Sequence, residues 1–508
     1  MNETLISLID RTALRLGEKK AILFLRQGRL ESQMTYSSLQ HISNRVANGL
    51  KASGLRKGDR VILFMPKSIE QILFHLGVQK VGAISVILNP GFKKDEMDYF
   101  LRDTDATIII AGKKEEALIH SLDKERPMIS IDTENPLEED ELFPESSTQF
   151  SLERGNPDDP AILIYTSGTT GQPKGAILTQ QNLIQDAKNI IRIWEITEKD
   201  VLCHALPLFH VHGLCFALHT SLIAGAKMVM CDEFSAETVM DTLSCQGGEL
   251  ACTVFMGVPT MYLRMFDKMK GERQDFSHLR LLASGSAPLL PKDFERIKKA
   301  FGKEPVEREG MSETGMNFSN PLRGLKKPGS IGLPLPQVEA RIVNPETFQD
   351  VKPGEVGEIW LMGPHVTPGY WKKPKETEVV FVNGWFRTGD LGKKDKDGYY
   401  YITDRLKHII ISGGENISPK EIESVINQHP KVSESCVVGI PDEKWGEKVV
   451  AAVILKPGVA FAEKEIRDHC KQHLHDWKCP KEILFLDELP RNRMGKILKE
   501  DVMKSFEK

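Results

Sequence analysis

The 508-residue sequence has no CxxC pair, no internal repeat and no low-complexity segment, and no apolar run nears the ~18 residues a bilayer span requires. Each absence removes a class of protein. Eight scattered cysteines, Cys203, Cys215, Cys231, Cys245, Cys252, Cys436, Cys470 and Cys479, follow no signal peptide, so reduced and mostly buried thiols are expected and a disulfide framework is not. No long run of one charge occurs and the net charge is −4, which argues against nucleic acid, a polybasic membrane contact or integral membrane association. Small-molecule partners and a cytoplasmic location are the expectation; oligomeric state is not legible.

What is present is length and alternation. A chain of 508 residues exceeds one ordinary core, so two or more domains are expected. The N-terminus spaces Leu5, Leu8, Ile9 and Leu14 at helical intervals. RVILFMP, SIEQILFHLGVQKVG and AISVILNP then read as strand, helix and strand, and ATIIIAG, KMVMCDE and LRLLASGS continue the pattern. This predicts an α/β fold with mostly parallel sheets covered by helices. Texture changes around GWFRTGDLGKKDKDGYYYITDRLK, and a boundary is placed there, giving an N-terminal domain over 1–403 and a small α+β domain over 404–508. Past it, Ser418 is the expected N-cap of a helix, with Pro419 in its first turn, Glu421 closing a capping box, and Ile422, Val425 and Ile426 on one face.

The segment Tyr165 to Gly175, YTSGTTGQPKG, follows the apolar AILI and sets small hydroxyl residues and glycines around one lysine. Glycines let main-chain N–H groups approach an anion, the hydroxyls add rotatable donors, and Lys174 supplies charge. That is the chemistry of a phosphate cradle, although no Gly-Lys-Ser/Thr ending makes it a Walker A loop.

The string resembles the signature of the adenylate-forming superfamily, which includes acyl-CoA synthetases, peptide-synthetase adenylation domains and firefly luciferase. Further matching motifs follow in order: REGMSETG from Arg308, GWFRTGDLG from Gly384, DRLKHIIISGGENISPKEIE from Asp404 and PRNRMGK from Pro490. The resemblance covers nearly the whole chain and implies an AMP-forming acid-thiol ligase. A carboxylate attacks the α-phosphate of ATP, pyrophosphate leaves, and coenzyme A then displaces AMP, with magnesium assisting.

Residue by residue, it implies that Thr166, Ser167, Gly168, Thr169, Thr170, Gly171 and Lys174 hold phosphates. Ser286, Ala287, Pro288, Glu309, Gly310, Met311 and Ser312 would surround the nucleotide, and Glu313 would bind magnesium. Asp390 would accept the ribose hydroxyls with Arg405 in support, and Lys496 would enter for adenylation. Lys407 matches a hinge on which a mobile C-terminal domain turns; Ser412, Gly413 and Gly414 match the coenzyme A tunnel. Glu309 departs from the pattern, because relatives carry there an aromatic ring that stacks on adenine. For the acyl pocket, His210, His212 and Arg280 are the candidates. The wording looks most like malonyl-CoA synthetases, with Arg280 expected to pair with a distal carboxylate. Medium- or long-chain fatty acids and aryl acids are the alternatives. A peptide-synthetase module is disfavoured because the chain runs only twelve residues past Lys496. A luciferase-like oxygenase or a non-enzymatic nucleotide binder would share the motifs.

Overall fold

The computed structural model describes residues 3–135, 142–152, 154–166, 172–269, 274–412, 415–442, 445–459, 463–492 and 497–506. Packing divides the chain into two compact units, Met1–Glu339 with Met362–Phe386, and Ala340–Leu361 with Arg387–Lys508. Packing thus groups 340–361 and 387–403 with the C-terminal residues, whereas the boundary expected from texture falls at 404. A hinge of motion at that point is a separate proposal.

The first unit holds two sheets. Six strands run in the order Met128–Ile131, Ile108–Gly112, Arg60–Phe64, Ile84–Ile87, Pro160–Thr166 and Lys174–Thr179. All neighbours pair in parallel except the last two, which form an antiparallel hairpin. The second sheet runs Leu333–Pro334, Gly315–Ser319, Val306–Met311, Leu281–Ser284, Val254–Gly257, Val201–His204, Lys227–Cys231, Lys20–Arg26 and Arg29–Thr35. Its centre is parallel and its two edges antiparallel. The expected β-α-β alternation is realised: helix Ile69–Val81 crosses between Arg60–Phe64 and Ile84–Ile87, capped by the Ser68 hydroxyl, which accepts from Gln71 N at 3.2 Å.

That crossover helix is buried along its whole length because helices Leu5–Leu16 and Tyr36–Ala52 also pack on it. Several of its polar groups are accordingly paired inside: Gln79 Nε2 donates to Ala161 O at 2.8 Å, and His75 Nε2 meets His219 Nε2 at 2.9 Å. In helix Leu5–Leu16, Leu5, Leu8 and Ile9 are buried, but Leu14 is 77% exposed. Its five-residue offset from Ile9 turns it about 140° away from the apolar stripe. All eight cysteines are free thiols, and seven of them are buried.

In the second unit, strands Glu415–Ile417, Ile410–Ser412, Gly446–Leu455, Val432–Asp442 and Glu482–Phe485 form a sheet covered by helices Pro419–Gln428 and Glu463–His473. Ile422 and Ile426 are fully buried and Val425 is partly so, as expected. The capping box is not formed. Ser418 Oγ instead donates to Asp404 Oδ2 at 2.7 Å, and the same oxygen accepts from Lys420 N at 3.0 Å. A carboxylate outcompetes a hydroxyl for a helix N-terminus because it is charged. Glu421, left free to turn outward, pairs with Lys478 at 2.7 Å.

Candidate active site

Among the described residues, Thr166, His210, His212 and Ser286 to Pro288 end or follow strands of the first unit's sheets at their carboxyl ends, where parallel sheets leave a crevice between diverging connections, and Arg280 does not. Thr166 ends one arm of the six-stranded sheet's hairpin and faces Lys174 on the other. Ser167, Gly168, Thr169, Thr170 and Gly171 lie outside the described residues. Lys174 Nζ stands 5.4 Å from the centre of the Tyr370 ring, and Tyr370 Oη donates to Glu313 Oε1 at 3.0 Å. Tyr370 therefore joins the expected phosphate-binding lysine to the expected magnesium-binding glutamate. Burial, and then the Glu313 carboxylate, push the Tyr370 phenol well above its ordinary value, so it remains a donor. Nothing in the local pattern TPGYW marks Tyr370 beforehand. Ser312 is half-buried in the same turn, and the Glu313 main-chain carbonyl accepts from Thr367 N at 2.7 Å.

A second group surrounds strand Leu281–Ser284 and its neighbour Val306–Met311. Ser286 has φ +66, a strained value for a non-glycine residue, and its hydroxyl meets both His212 Nδ1 and Arg308 Nη2 at 3.3 Å. Gly285 is required here, since a Cβ would fall 2.5 Å from Arg308 Nε. Arg308 is 3% exposed, and its guanidinium lies 5.0 Å from the Phe216 ring. Its Nε and Nη1 have no hydrogen-bond partner, nor has His212 Nε2, Ser284 Oγ or Thr314 Oγ1. Orphaned buried polar atoms are costly, and this many at the end of one sheet indicates a place built for a polar ligand. Burial, opposed by Glu309 and Asp186, brings Arg308 down to about 10, so it is a cation at neutral pH. Burial, reinforced by Arg308, holds His212 well below its ordinary value, and burial lowers His210 to about 4; both imidazoles are neutral. Behind them, Asp186 Oδ1 accepts from Met316 N at 2.8 Å, and burial raises this carboxyl to about 7.

Arg280, expected in the acyl pocket, does not join this group. It precedes strand Leu281–Ser284 and so sits at the amino end of the sheet, four residues of extended chain from Ser284. That separation is about 13 Å. Its fork is already engaged: Nε and Nη2 contact the two oxygens of Asp200 at 2.5 and 2.8 Å, and Nη1 donates to Trp194 O at 2.9 Å. Lys303, Glu304 and Lys326 line the shallow depression beside it. Arg308 was missed by sequence reading although it opens REGMSETG. Its signal is an arginine two residues past the apolar Val306, and so on the same strand face, within the buried first half, VER, of strand Val306–Met311.

Glu309, the departure at the adenine position, accepts from Asn317 Nδ2 at 3.0 Å, and Asn317 Oδ1 meets His365 Nε2 at 3.2 Å. Ala287 is half-buried and Pro288 exposed. Gly310 allows two strands to close, since a Cβ there would lie 2.5 Å from Gly315 O, and Met311 opposes Gly315 in the same ladder.

In the second unit, Asp390 and Arg405 face each other across a hairpin, with Arg405 Nε on Asp390 Oδ1 at 2.7 Å. Asp390 is 5% exposed. Lys407 lies in the short 3₁₀ turn Leu406–His408; burial, and then Arg405, lower its ammonium. Ser412 is buried opposite Gly446. Gly413, Gly414 and Lys496 lie outside the described residues.

The AMP-binding enzyme family matches residues 9–371, and the C-terminal domain of the AMP-binding enzymes matches residues 421–496. The chain belongs to the AMP-binding enzymes. It is an acid-thiol ligase of the acyl-CoA synthetase type, similar over 99% of its length to an oxalate–CoA ligase of Arabidopsis thaliana (33% identity, 99% of that protein covered). A long-chain-fatty-acid–CoA ligase of Bacillus subtilis is 32% identical over 99% of this chain and 94% of its own. The crystal structure of ATP-bound MatB from Rhodopseudomonas palustris superposes with a TM-score of 0.92 at 35% identity, covering 99% of both chains. The family's α/β architecture is thereby shown. No helix among the described residues is long and apolar enough to cross a membrane.

The expected magnesium ligand can be tested against the side chains present. Among the described residues no group of three His, Cys, Asp or Glu side chains could hold a metal, and Glu313 offers hard carboxylate oxygen beside Tyr370 and the expected phosphate-binding Lys174, which fits a magnesium ion shared with substrate phosphates. Magnesium is commonly held by one or two carboxylates together with substrate phosphates and water.

Proposed function

We propose that this ligase activates a short dicarboxylic acid of malonate size, with Arg308 as the anchor of the carboxylate that does not react. The observation that carries the reading is the unspent guanidinium: a buried cation with Nε and Nη1 unpartnered, beside Ser286 and neutral His212. Among the described residues no carboxylate lies within ion-pair distance of it. A substrate carboxylate would supply the missing charge-assisted bonds in a site where they are strong. A fatty acid would leave that cation buried and uncompensated, at a cost of several kcal/mol.

The reacting carboxylate oxygen forms a bond to the α-phosphorus of ATP as the bond to the pyrophosphate oxygen breaks. The sulfur of coenzyme A then bonds to the acyl carbon and AMP departs with the electron pair. Thr166 and Lys174 would hold phosphate oxygens, together with Ser167, Gly168, Thr169, Thr170 and Gly171. Ser312 would contact the α-phosphate, and Asp390 with Arg405 would fix the ribose. Bound magnesium, held by Glu313, supplies neutralisation of phosphate charge. Lys496 would meet the charge that develops at the reacting carboxylate, and a hinge at Lys407 would exchange it for a surface with Ser412, Gly413 and Gly414 that admits coenzyme A. Near Glu309, the carboxylate fixed by Asn317 cannot stack on adenine; Gly285 to Pro288 form the wall left for that purpose.

The test is coenzyme A-dependent AMP formation across acetate, malonate, methylmalonate, octanoate, palmitate and benzoate. A malonate or methylmalonate preference is expected. Preference for octanoate or palmitate would make this a fatty acyl-CoA ligase and overturn the anchor.

A further inference from the structure

Helix Lys94–Thr104 takes no part in the reaction as described so far, yet one of its faces grips both arms of the phosphate-binding hairpin. Tyr165 Oη, one residue before the end of the first arm, donates to Asp103 Oδ2 at 2.6 Å. Tyr99 Oη, one turn earlier on the helix, donates at 2.6 Å to the carbonyl of Pro173, which immediately precedes Lys174. The antiparallel ladder ends at the Thr166–Lys174 pair. Pro173 has no N–H and lies past that pair, so its carbonyl is available to the helix. Tyr99 and Asp103 stand at i and i+4, the spacing that puts two side chains on one helix face.

The same helix also fixes the segment that carries Tyr370. Asp103 Oδ1 lies 3.4 Å from Lys373 Nζ, and the Asp103 carbonyl accepts from Trp371 Nε1 at 3.2 Å. Trp371 N in turn donates to Gly175 O at 2.8 Å, and Tyr370 bridges Ala176 in antiparallel fashion. Phe100 packs edge-on against the Tyr165 ring at 4.8 Å. The two groups that flank Tyr370, Lys174 and Glu313, are thus referred to one helix through partly buried hydroxyl, indole and ammonium contacts. A bare loop would need none of this, since glycines and threonines close a hairpin unaided.

We propose that Tyr99 and Asp103 are positioning residues for the nucleotide, a helix clamp that sets where Lys174 and the Tyr370–Glu313 pair stand for the phosphates. The clamp prepays the ordering of the hairpin arms that ATP would otherwise have to impose, so its loss falls on ATP binding and not on the acid or the thiol. The proposal rests on the ATP-dependent ligase activity and not on which acid is used, so it is measured with whichever acid of the panel is turned over fastest.

Tyr99→Phe removes one hydroxyl and nothing else. It is expected to raise KM for ATP about 5-fold, the equivalent of one hydrogen bond of about 1 kcal/mol, while KM for acid and for coenzyme A stay within about 2-fold. Asp103→Ala is expected to raise KM for ATP by about 10-fold or more, and Asp103→Asn, which keeps an acceptor for Tyr165, by less. Amide exchange over 174–177 should quicken in the same order. Unchanged KM for ATP in Tyr99→Phe would overturn the proposal. So would a parallel rise in all three KM values, which is what general loosening of the fold produces. If Asp103→Ala fails to fold, Tyr99→Phe and Asp103→Asn decide the matter alone.

Discussion

Replacing Arg308 by methionine separates the anchor from every other role this residue could play. Methionine fills the space of the arginine stem and keeps contact with Phe216, which lies 5.0 Å from the guanidinium. The folded protein loses little: one contact from Nη2 to Ser286 at 3.3 Å, and a cation that burial already disfavours. Replacing a buried charge by an apolar side chain of similar size is often neutral or stabilising, so the melting temperature should hold or rise. The substrate complex loses far more. A charge-assisted pair in a buried site, truncated on one side, costs about 3–5 kcal/mol because the partner charge is left desolvated. At about 1.4 kcal/mol per decade, kcat/KM for malonate should fall roughly 100- to 3000-fold. Acetate carries no second carboxylate and should be used as well as before, or better. Arg308→Lys keeps a point charge without the planar fork and should fall between the two. The assay is pyrophosphate release with each acid, read as the malonate to acetate ratio of kcat/KM. A ratio within about 3-fold of the parent protein, or an equal loss for both acids, would refute the anchor.

Arg280→Ala should behave in the opposite way. It severs the fork on Asp200, a carboxylate 6% exposed, and with the arginine side chain itself 31% exposed the loss after solvent screening is about 1–2 kcal/mol. Thermal denaturation should show that loss while KM for malonate stays unchanged; a large KM rise at unchanged stability would return Arg280 to the pocket. Asp186→Asn tests the raised carboxyl behind the site. Its folded value of about 7 lies above the ordinary 3.8, so folding favours the protonated form, and the penalty grows as pH rises between these values. The full penalty above pH 7 is about 4 kcal/mol, from about three pK units at 1.36 kcal/mol each. Asparagine keeps an acceptor for Met316 N without the charge, so the variant should be more stable than the parent at pH 8, with the gain more than halved at pH 5. An equal gain at both pH values would show that the charge is not its source.

Much of the fold was legible before any coordinates. Apolar runs and helical spacing marked the alternating strands and helices of the first unit, because in a buried parallel sheet the apolar run itself is the signal. The family itself was legible through resemblance, since its motifs are short and local in sequence; the roles expected of Lys174, Glu313 and Asp390 come from the same motifs. Legibility failed where a side chain outside the motif, or the exact angle around a helix, decided the outcome. Ser418 and Glu421 have the letters of a capping box, yet Asp404 takes the helix N-terminus at 2.7 and 3.0 Å. Leu14 follows the helical spacing of its neighbours only loosely, and it ends 77% exposed.

The amino-acid sequence by itself determined the class of chemistry here, an AMP-forming ligation, because the family's signature is carried by contiguous, ordered motifs. Where the two candidate arginines stand, and what each already contacts, was decided only by tertiary structure. Arg280 and Arg308 both border strands of one sheet, but one stands at its amino end with Asp200 in its fork and the other at its carboxyl end with two donors unspent. Strand direction and neighbour charge make that difference, and both come from chain segments scores of residues away. The same holds for Tyr370, which ties Lys174 to Glu313 only because the return segment 362–386 folds back onto the hairpin.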